Sequence, residues 1–425
     1  MTIKEIIPKS TVNAKIQIPG SKSYTNRALI CASLAEGDSI LKNTISCDDT
    51  QAMQKALVKL GAEIDYKDEK FFIKGHYPEN LHAANKEIYV GAAGTTMRFL
   101  TGLCTLIKGS HKLTGTKRMH QRPIGDLIDA LNQIINGKVE SESVNKNRKK
   151  CPPVNILTRG LKGGNVDVRV DSSSQFLSSV LMASPHADKD VIITPVGEFV
   201  EKPYIDMTLE VMKAFNVIIK EEKGKYLVKA GQKYKPTTYF IESDASNATY
   251  FMAAAAITGG KVSVGGFREN SKQGDIGFIK ILEKMGCSVK KNREHIEVEG
   301  PHKLNGINVN LGIMPDTVQT LAVLAAVAKG KTIIRGIHNL RIKETDRIYA
   351  LEQELAKLGI KTDSTEDSLT IHGGTPISGE IETYNDHRMA MSFSVLGLRI
   401  QGIKIKNPEC VSKSFPNFYE LFEKL

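Results

Sequence analysis

Asp244-Ala245-Ser246-Asn247-Ala248-Thr249-Tyr250-Phe251-Met252-Ala253-Ala254-Ala255-Ala256-Ile257 opens on a short polar tripeptide and from Tyr250 runs apolar without a break. From Tyr250 to Ile257 no position offers a polar face, so a helix here must be buried on every side. The run is far too short to span a bilayer. A buried helix carries its first unsatisfied N–H groups, and the positive end of its dipole, into the interior. A polar opening at such an end is a place for an anion.

The same opening recurs along the chain, at Ser21-Lys22-Ser23, Ala93-Gly94-Thr95, Ser172-Ser173-Ser174, Pro315-Asp316-Thr317 and Asn385-Asp386-His387. The central residues are 22, 94, 173, 245, 316 and 386, with spacings of 72, 79, 72, 71 and 70. A fixed period of supersecondary units marks a repeat architecture. After each apolar segment comes a turn and a β-branched strand, as at Ser39-Ile40-Leu41, Val191 to Thr194, Lys261 to Val264 and Lys331 to Ile334. A second, amphipathic helix follows, stopped by Gly61, Gly286 or Gly359 in three of the units. A strand and hairpin such as Phe71-Phe72-Ile73-Lys74 closes the unit. The long interval holds a charged insertion, Gly137 to Lys150, whose Lys146–Lys150 run reads as a solvated loop. The predicted fold is α/β (α+β), made of six βαβαββ-type units that divide three and three near residue 242. Six buried helix starts facing one cleft would bind polyanions.

Composition narrows the function class. The chain has 425 residues, 41% hydrophobic and 25% charged, as expected of a soluble globular protein with two or three domains. The net charge is +11, yet aromatics are only 6%, which fits small anionic ligands better than nucleic acid. The first ten residues resemble neither a signal nor a transit peptide. Six scattered cysteines, at 31, 47, 104, 151, 287 and 410, show no metal-ligand or redox spacing and suit a reducing cytoplasm.

Eight motifs then stand in one order: Pro19-Gly20-Ser21-Lys22-Ser23-x-x-Asn26-Arg27, Gly94-Thr95-x-Met97-Arg98, Arg122-Pro123-Ile124-Gly125, Ser173-Ser174-Gln175-Phe176, Lys202-Pro203-Tyr204-Ile205-Asp206, Arg341-x-Lys343-Glu344-Thr345-Asp346-Arg347, Asp386-His387-Arg388-Met389-Ala390 and Ser412-Lys413-Ser414-Phe415-Pro416. Together they resemble the 3-phosphoshikimate 1-carboxyvinyltransferase (EPSP synthase) family of enolpyruvyl transferases, over essentially the whole chain. The resemblance implies an inside-out α/β barrel of two similar domains, each of three repeats around buried parallel helices. One domain would be residues 21–242 and the other residues 1–20 plus 243–425, with ligands bound in the cleft between them.

The resemblance also implies the chemistry: the enolpyruvyl group of phosphoenolpyruvate passes to the 5-hydroxyl of shikimate 3-phosphate by addition and elimination. Lys22, Gly94, Arg122, Gln175, Arg347, Arg388 and Lys413 would hold phosphoenolpyruvate, whose carboxylate and phosphate suit the arginine fork. Lys22, Ser23, Arg27, Ser173, Ser174, Gln175, Tyr204, Asp316, Asn339 and Lys343 would hold shikimate 3-phosphate, with Arg27 on its carboxylate and the serines on its phosphate. Asp316 would be the base and Glu344 the proton donor, assisted by Lys22. Neighbouring cations such as Lys343 weaken a carboxyl as an acid, and bound anions offset this. No cofactor or metal, no nucleic acid and no membrane is implied; the expected state is a cytoplasmic monomer, with glyphosate a competitor for the phosphoenolpyruvate site.

Taken singly, each motif has a plainer reading. Lys343 to Arg347 could be a charged first helical turn, Ser172 to Ser174 an N-cap, His387 structural, and Met389, Met391 and Phe393 core. Two positions depart from the family pattern. Ala92 stands where an asparagine is common, which removes a polar contact. Glu201 stands where a serine is common near the 3-phosphate, and is expected to point away from it. The related transferase acting on UDP-N-acetylglucosamine is disfavoured, because the loop Thr114 to Arg122 lacks that enzyme's reactive cysteine. A non-catalytic anion- or nucleic-acid-binding repeat protein would not need Asp316 and Glu344 among the cations.

Overall fold

The computed structural model describes residues 2–76, 78, 81–83, 87–292 and 294–425. The chain divides into two compact units, Gly20–Ile241 and Met1–Pro19 with Glu242–Leu425. The six polar openings start helices: Lys22–Ser33, Gly94–Cys104 and Ser174–Ala183 in the first unit, and Ala245–Thr258, Val318–Ala326 and His387–Gly397 in the second. Every residue from Ala245 to Ile257 is buried, as an all-apolar helix requires. The capping side chains are those the sequence offers. Ser21, Ser173, Asp244 and Asp386 each accept a backbone N–H of the first turn. Gly61, Gly286 and Gly359, past the ends of the amphipathic helices, take positive φ.

Among the described residues, strands wrap these helices in six small sheets, five of four strands and one of three. Within a typical repeat the strand before the buried helix runs parallel to the strand after it. Gly164–Arg169 beside Val191–Val196 is one case, and a returning hairpin completes the sheet. Two leading strands are exchanged. Asn13–Gln17 precedes the first buried helix, yet pairs with Lys261–Gly265 of the fourth repeat. Thr238–Phe240 precedes the fourth buried helix, yet pairs with Gly37–Lys42 of the first. The exchange gives each unit three sheets around three helices.

Residues 146–149 of the charged run lie exposed at a turn, as expected, but the insertion around them is the arm of a long antiparallel hairpin, Ile135–Val144 with Lys150–Leu161. Alternation in Lys138-Val139-Glu140-Ser141 places Val139 opposite Ile156 with its side chain buried, while the charges face out. Only the tip is a turn, where the Asn145 side chain accepts N–H groups of Asn147 and Lys149. Among the described residues no helix is long and apolar enough to cross a membrane.

Candidate functional site

In the second unit the starts of the buried helices converge on a charged cluster. Asp316 lies in the tight turn Pro315–Thr317, just ahead of the Val318–Ala326 helix. Asp386 is the N-cap of the next buried helix, and Arg388 sits in that helix's first turn. Arg347 starts the amphipathic helix Arg347–Lys357, so Glu344 belongs to the approach and not to the helix. Arg347, 1% exposed, binds three carboxylates. Its Nη1 donates to Asp316 Oδ1 at 3.0 Å, its Nη2 to Glu344 Oε2 at 2.9 Å, and its Nε to Asp386 Oδ2 at 2.8 Å. Arg388 closes the ring, donating to Asp316 Oδ2 at 2.8 Å and to the buried Tyr250 hydroxyl at 3.0 Å. Lys413 Nζ lies 3.7 Å from Glu344 Oε1. Both proposed catalytic carboxylates thus hang on one arginine. Burial pushes the Arg347 guanidinium down, but Asp386, Glu344 and Asp316 overcome it, and the net shift is upward. Asn339 is buried in the turn His338–Ile342, and Lys343 is half-buried just after it.

Beside this cluster Asp275 is buried, accepts a hydrogen bond from Ser246 in the first turn of the Ala245–Thr258 helix, and has Oδ1 without a partner among the described residues. Burial first, then the charges of Asp316 and Asp244, push its carboxyl up to about 7, against the Ser246 bond and Arg388.

The first unit presents a different set. Lys22, the first residue of its helix, meets Asp49 Oδ2 at 3.0 Å. Asp49 belongs to the first turn of the Asp48–Lys59 helix and is itself buried. Gln175 Nε2 reaches Thr95 Oγ1 at 3.4 Å, joining the first turns of two buried helices. Arg122 is held by the Ala92 carbonyl at 3.4 Å and lies against Gly94. A Cβ on Gly94 would come within 2.7 Å of the Arg122 guanidinium. The Ala92 backbone carbonyl thus helps to place Arg122, while its side chain offers no polar group.

Arg27, 2% exposed, spends its donors inside the unit: on Thr208 Oγ1 at 2.7 Å, Ser23 O at 3.0 Å, Tyr204 O at 3.1 Å and Ser178 Oγ at 3.4 Å. Its guanidinium also lies over the rings of Phe99 and Tyr204. Burial pushes its pKa down to about 10. These bonds use four of its five N–H donors, so among the described residues one donor on Nη1 is left for a ligand carboxylate.

Glu201 does not point away. It is 3% exposed, and its Oε2 accepts a hydrogen bond from Ser174 Oγ at 3.1 Å. Ser174 is the first residue of a buried helix. His387, Met389, Met391 and Phe393 are all buried, in keeping with their structural reading.

Asp49, Tyr250, Ser178 and Thr208 were not singled out from the sequence. The N-cap rule marks Asp386, but its hold on Arg347 spans 39 residues and leaves no local trace. All six cysteines are buried, and burial raises every thiol, those of Cys31, Cys104, Cys287 and Cys410 to about 12. None is poised as a thiolate nucleophile.

Solved structures that share this architecture include two enolpyruvyl transferases. EPSP synthase from Acinetobacter baumannii matches with a TM-score of 0.82 at 30% identity, covering 99% of this chain and 97% of that one. The enolpyruvyl transferase NikO from Streptomyces tendae shares the fold at a TM-score of 0.78 and 16% identity, covering 100% and 97%. A sequence model described as EPSP synthase (3-phosphoshikimate 1-carboxyvinyltransferase) matches residues 6–422. The 3-phosphoshikimate 1-carboxyvinyltransferase of Nostoc punctiforme is 41% identical over 415 residues, 97% of this chain and 96% of the relative. That of a Marinomonas species is 42% identical over 426 residues, 98% of each. The chain belongs to the EPSP synthase family.

Proposed function

We propose that the chain transfers the enolpyruvyl group of phosphoenolpyruvate to the 5-hydroxyl of shikimate 3-phosphate, releasing phosphate and 5-enolpyruvylshikimate 3-phosphate. The observation that carries this reading is the pair of carboxylates, Asp316 and Glu344, bound to one buried arginine among further cations. Asp316 takes the hydroxyl proton as the oxygen attacks C2 of phosphoenolpyruvate, and Glu344 delivers a proton to C3. The tetrahedral adduct then loses a C3 proton and its phosphate. Lys22, Arg122, Gln175, Arg347, Arg388 and Lys413, with Gly94 as a close backbone wall, hold phosphoenolpyruvate. Ser23, Arg27, Ser173, Ser174, Tyr204, Asn339 and Lys343 hold shikimate 3-phosphate. When an anionic substrate engages Arg347 and Lys413, their pull on Glu344 weakens, which favours a proton on that carboxyl. The six free cysteines suit a reducing compartment, and we place the enzyme in the cytoplasm as a monomer.

Phosphate release from phosphoenolpyruvate with shikimate 3-phosphate as acceptor tests the reading. Release only with UDP-N-acetylglucosamine, or with neither acceptor, would overturn it. Lys22→Ala and Arg388→Ala should each cost at least about a hundredfold in turnover, the scale of one preorganised charge contact. Near-normal kinetics in a folded variant would remove that residue from the site.

A further inference from the structure

We propose that Glu201 sets the affinity for the phosphorylated end of shikimate 3-phosphate, because in the free protein it occupies the Ser174 hydroxyl that the phosphate requires. The inference rests on the assignment of Ser173 and Ser174 to that phosphate. The two serines open the Ser174–Ala183 helix, where backbone N–H groups and the helix dipole favour an anion. Ser173 is turned inward, its hydroxyl accepting the Gln175 N–H at 3.2 Å. Ser174 is 1% exposed, and its hydroxyl is given to Glu201 Oε2. A carboxylate of this chain therefore already sits where the helix start attracts negative charge.

The backbone holds it there. Glu201 takes φ 57° and ψ 34°, the left-handed region, at the N-cap of the Lys202–Ala214 helix, and its carbonyl accepts the Tyr204 N–H at 3.0 Å. A residue other than glycine is strained in that region and persists there only where its surroundings impose it. The side chain cannot leave by a simple drift of an exposed loop, because it is 3% exposed. A phosphomonoester and the Glu201 carboxylate cannot share one hydroxyl proton, and like charges at that separation repel. Shikimate 3-phosphate must displace Glu201 or bind at a distance from Ser174. Either way the phosphate contributes less to affinity than it would beside a neutral residue.

The test is calorimetric titration of the wild-type protein, Glu201→Gln and Glu201→Asn with shikimate 3-phosphate and with unphosphorylated shikimate. Gln keeps the size of the side chain, and Asn suits the left-handed backbone. Both variants should bind shikimate 3-phosphate about fivefold or more tightly than wild type, the scale of one recovered hydrogen bond. Shikimate affinity should move much less, so the ratio between the two ligands rises. A ratio that stays the same or falls in both variants overturns the inference, since Glu201 would then support the phosphate or ignore it. Phosphate release by the wild-type enzyme reports separately on the proposed function, so the two readings fail independently.

Discussion

Two arginines are buried to the same depth, Arg347 at 1% exposure and Arg27 at 2%, and their surroundings are opposite. Arg347 is bound by three carboxylates, which lift its pKa above the ordinary value despite burial. Every hydrogen bond that Arg27 donates among the described residues ends on a neutral oxygen, and burial lowers it to about 10. The lesson is that a buried cation can serve a site in two ways. Arg347 is already neutralised and works as a frame, fixing where Asp316 and Glu344 point. Arg27 keeps charge that no carboxylate at hydrogen-bond distance offsets, and so favours an incoming anion.

The largest effect should come from breaking the frame. Arg347→Met leaves Asp316, Glu344 and the fully buried Asp386 without their common partner, a loss of about 3–5 kcal/mol. Arg27→Met should cost about 1–3 kcal/mol. Its main partner, Thr208 Oγ1, keeps bonds to Ser178 Oγ and Tyr204 O, both at 2.8 Å. Scanning calorimetry of the two variants side by side decides this, and equal losses would break the comparison.

Gly94→Ala comes next and acts through Arg122. The added methyl meets the far end of a flexible side chain, so Tm should hardly move while the guanidinium is driven off its place. Losing one charge-assisted contact predicts a KM for phosphoenolpyruvate about tenfold higher, with glyphosate inhibition weakened at least as much. Steady-state kinetics with an unaltered KM would show that Arg122 reseats without loss.

The smallest effect concerns Asp275, the carboxyl beside the framed cluster that has no cation at hydrogen-bond distance. Its folded pKa of about 7 lies above the ordinary 3.8, so the protonated form suits the fold. Its contribution to stability is whole below about pH 4 and is lost as pH rises through about 7. Asp275→Asn never ionises, and its Tm advantage over wild type should widen across that window by about 2–4 °C. A gap independent of pH would mean that Asp275 is ionised throughout.

The repeat period, the all-apolar helices, their caps and their glycine stops were legible because each rests on neighbours in sequence. Lys22, Arg347 and Arg388 were legible for the same reason, since each sits in a local motif at a helix start. The long-range pairings around them were not. Lys22 finds Asp49, Arg347 finds Asp386, and Ser174 finds Glu201 across intervals that only the folded chain closes. Glu201 shows the cost of arguing from a ligand: repulsion by a phosphate suggested that it would turn away, while the free protein offers it the Ser174 hydroxyl. The hairpin arm escaped notice because its alternating residues are charged, and the period-two pattern hides behind them.

The exchange of leading strands bears on how the chain is born. Synthesis proceeds from the N-terminus, and domains fold as units when their parts are present. All three sheets of Gly20–Ile241 are available once residue 241 has emerged, because its borrowed strand, Thr238–Phe240, lies within it. In the other unit, strands made early wait for partners made much later. Asn13–Gln17 waits for Lys261–Gly265, and Ile3–Glu5 waits for Ile403–Lys406. Until then the nascent chain trails an open strand with Ile16 and Ile18 bare, so a pause in translation between these segments prolongs the interval in which that edge can pair with a stranger.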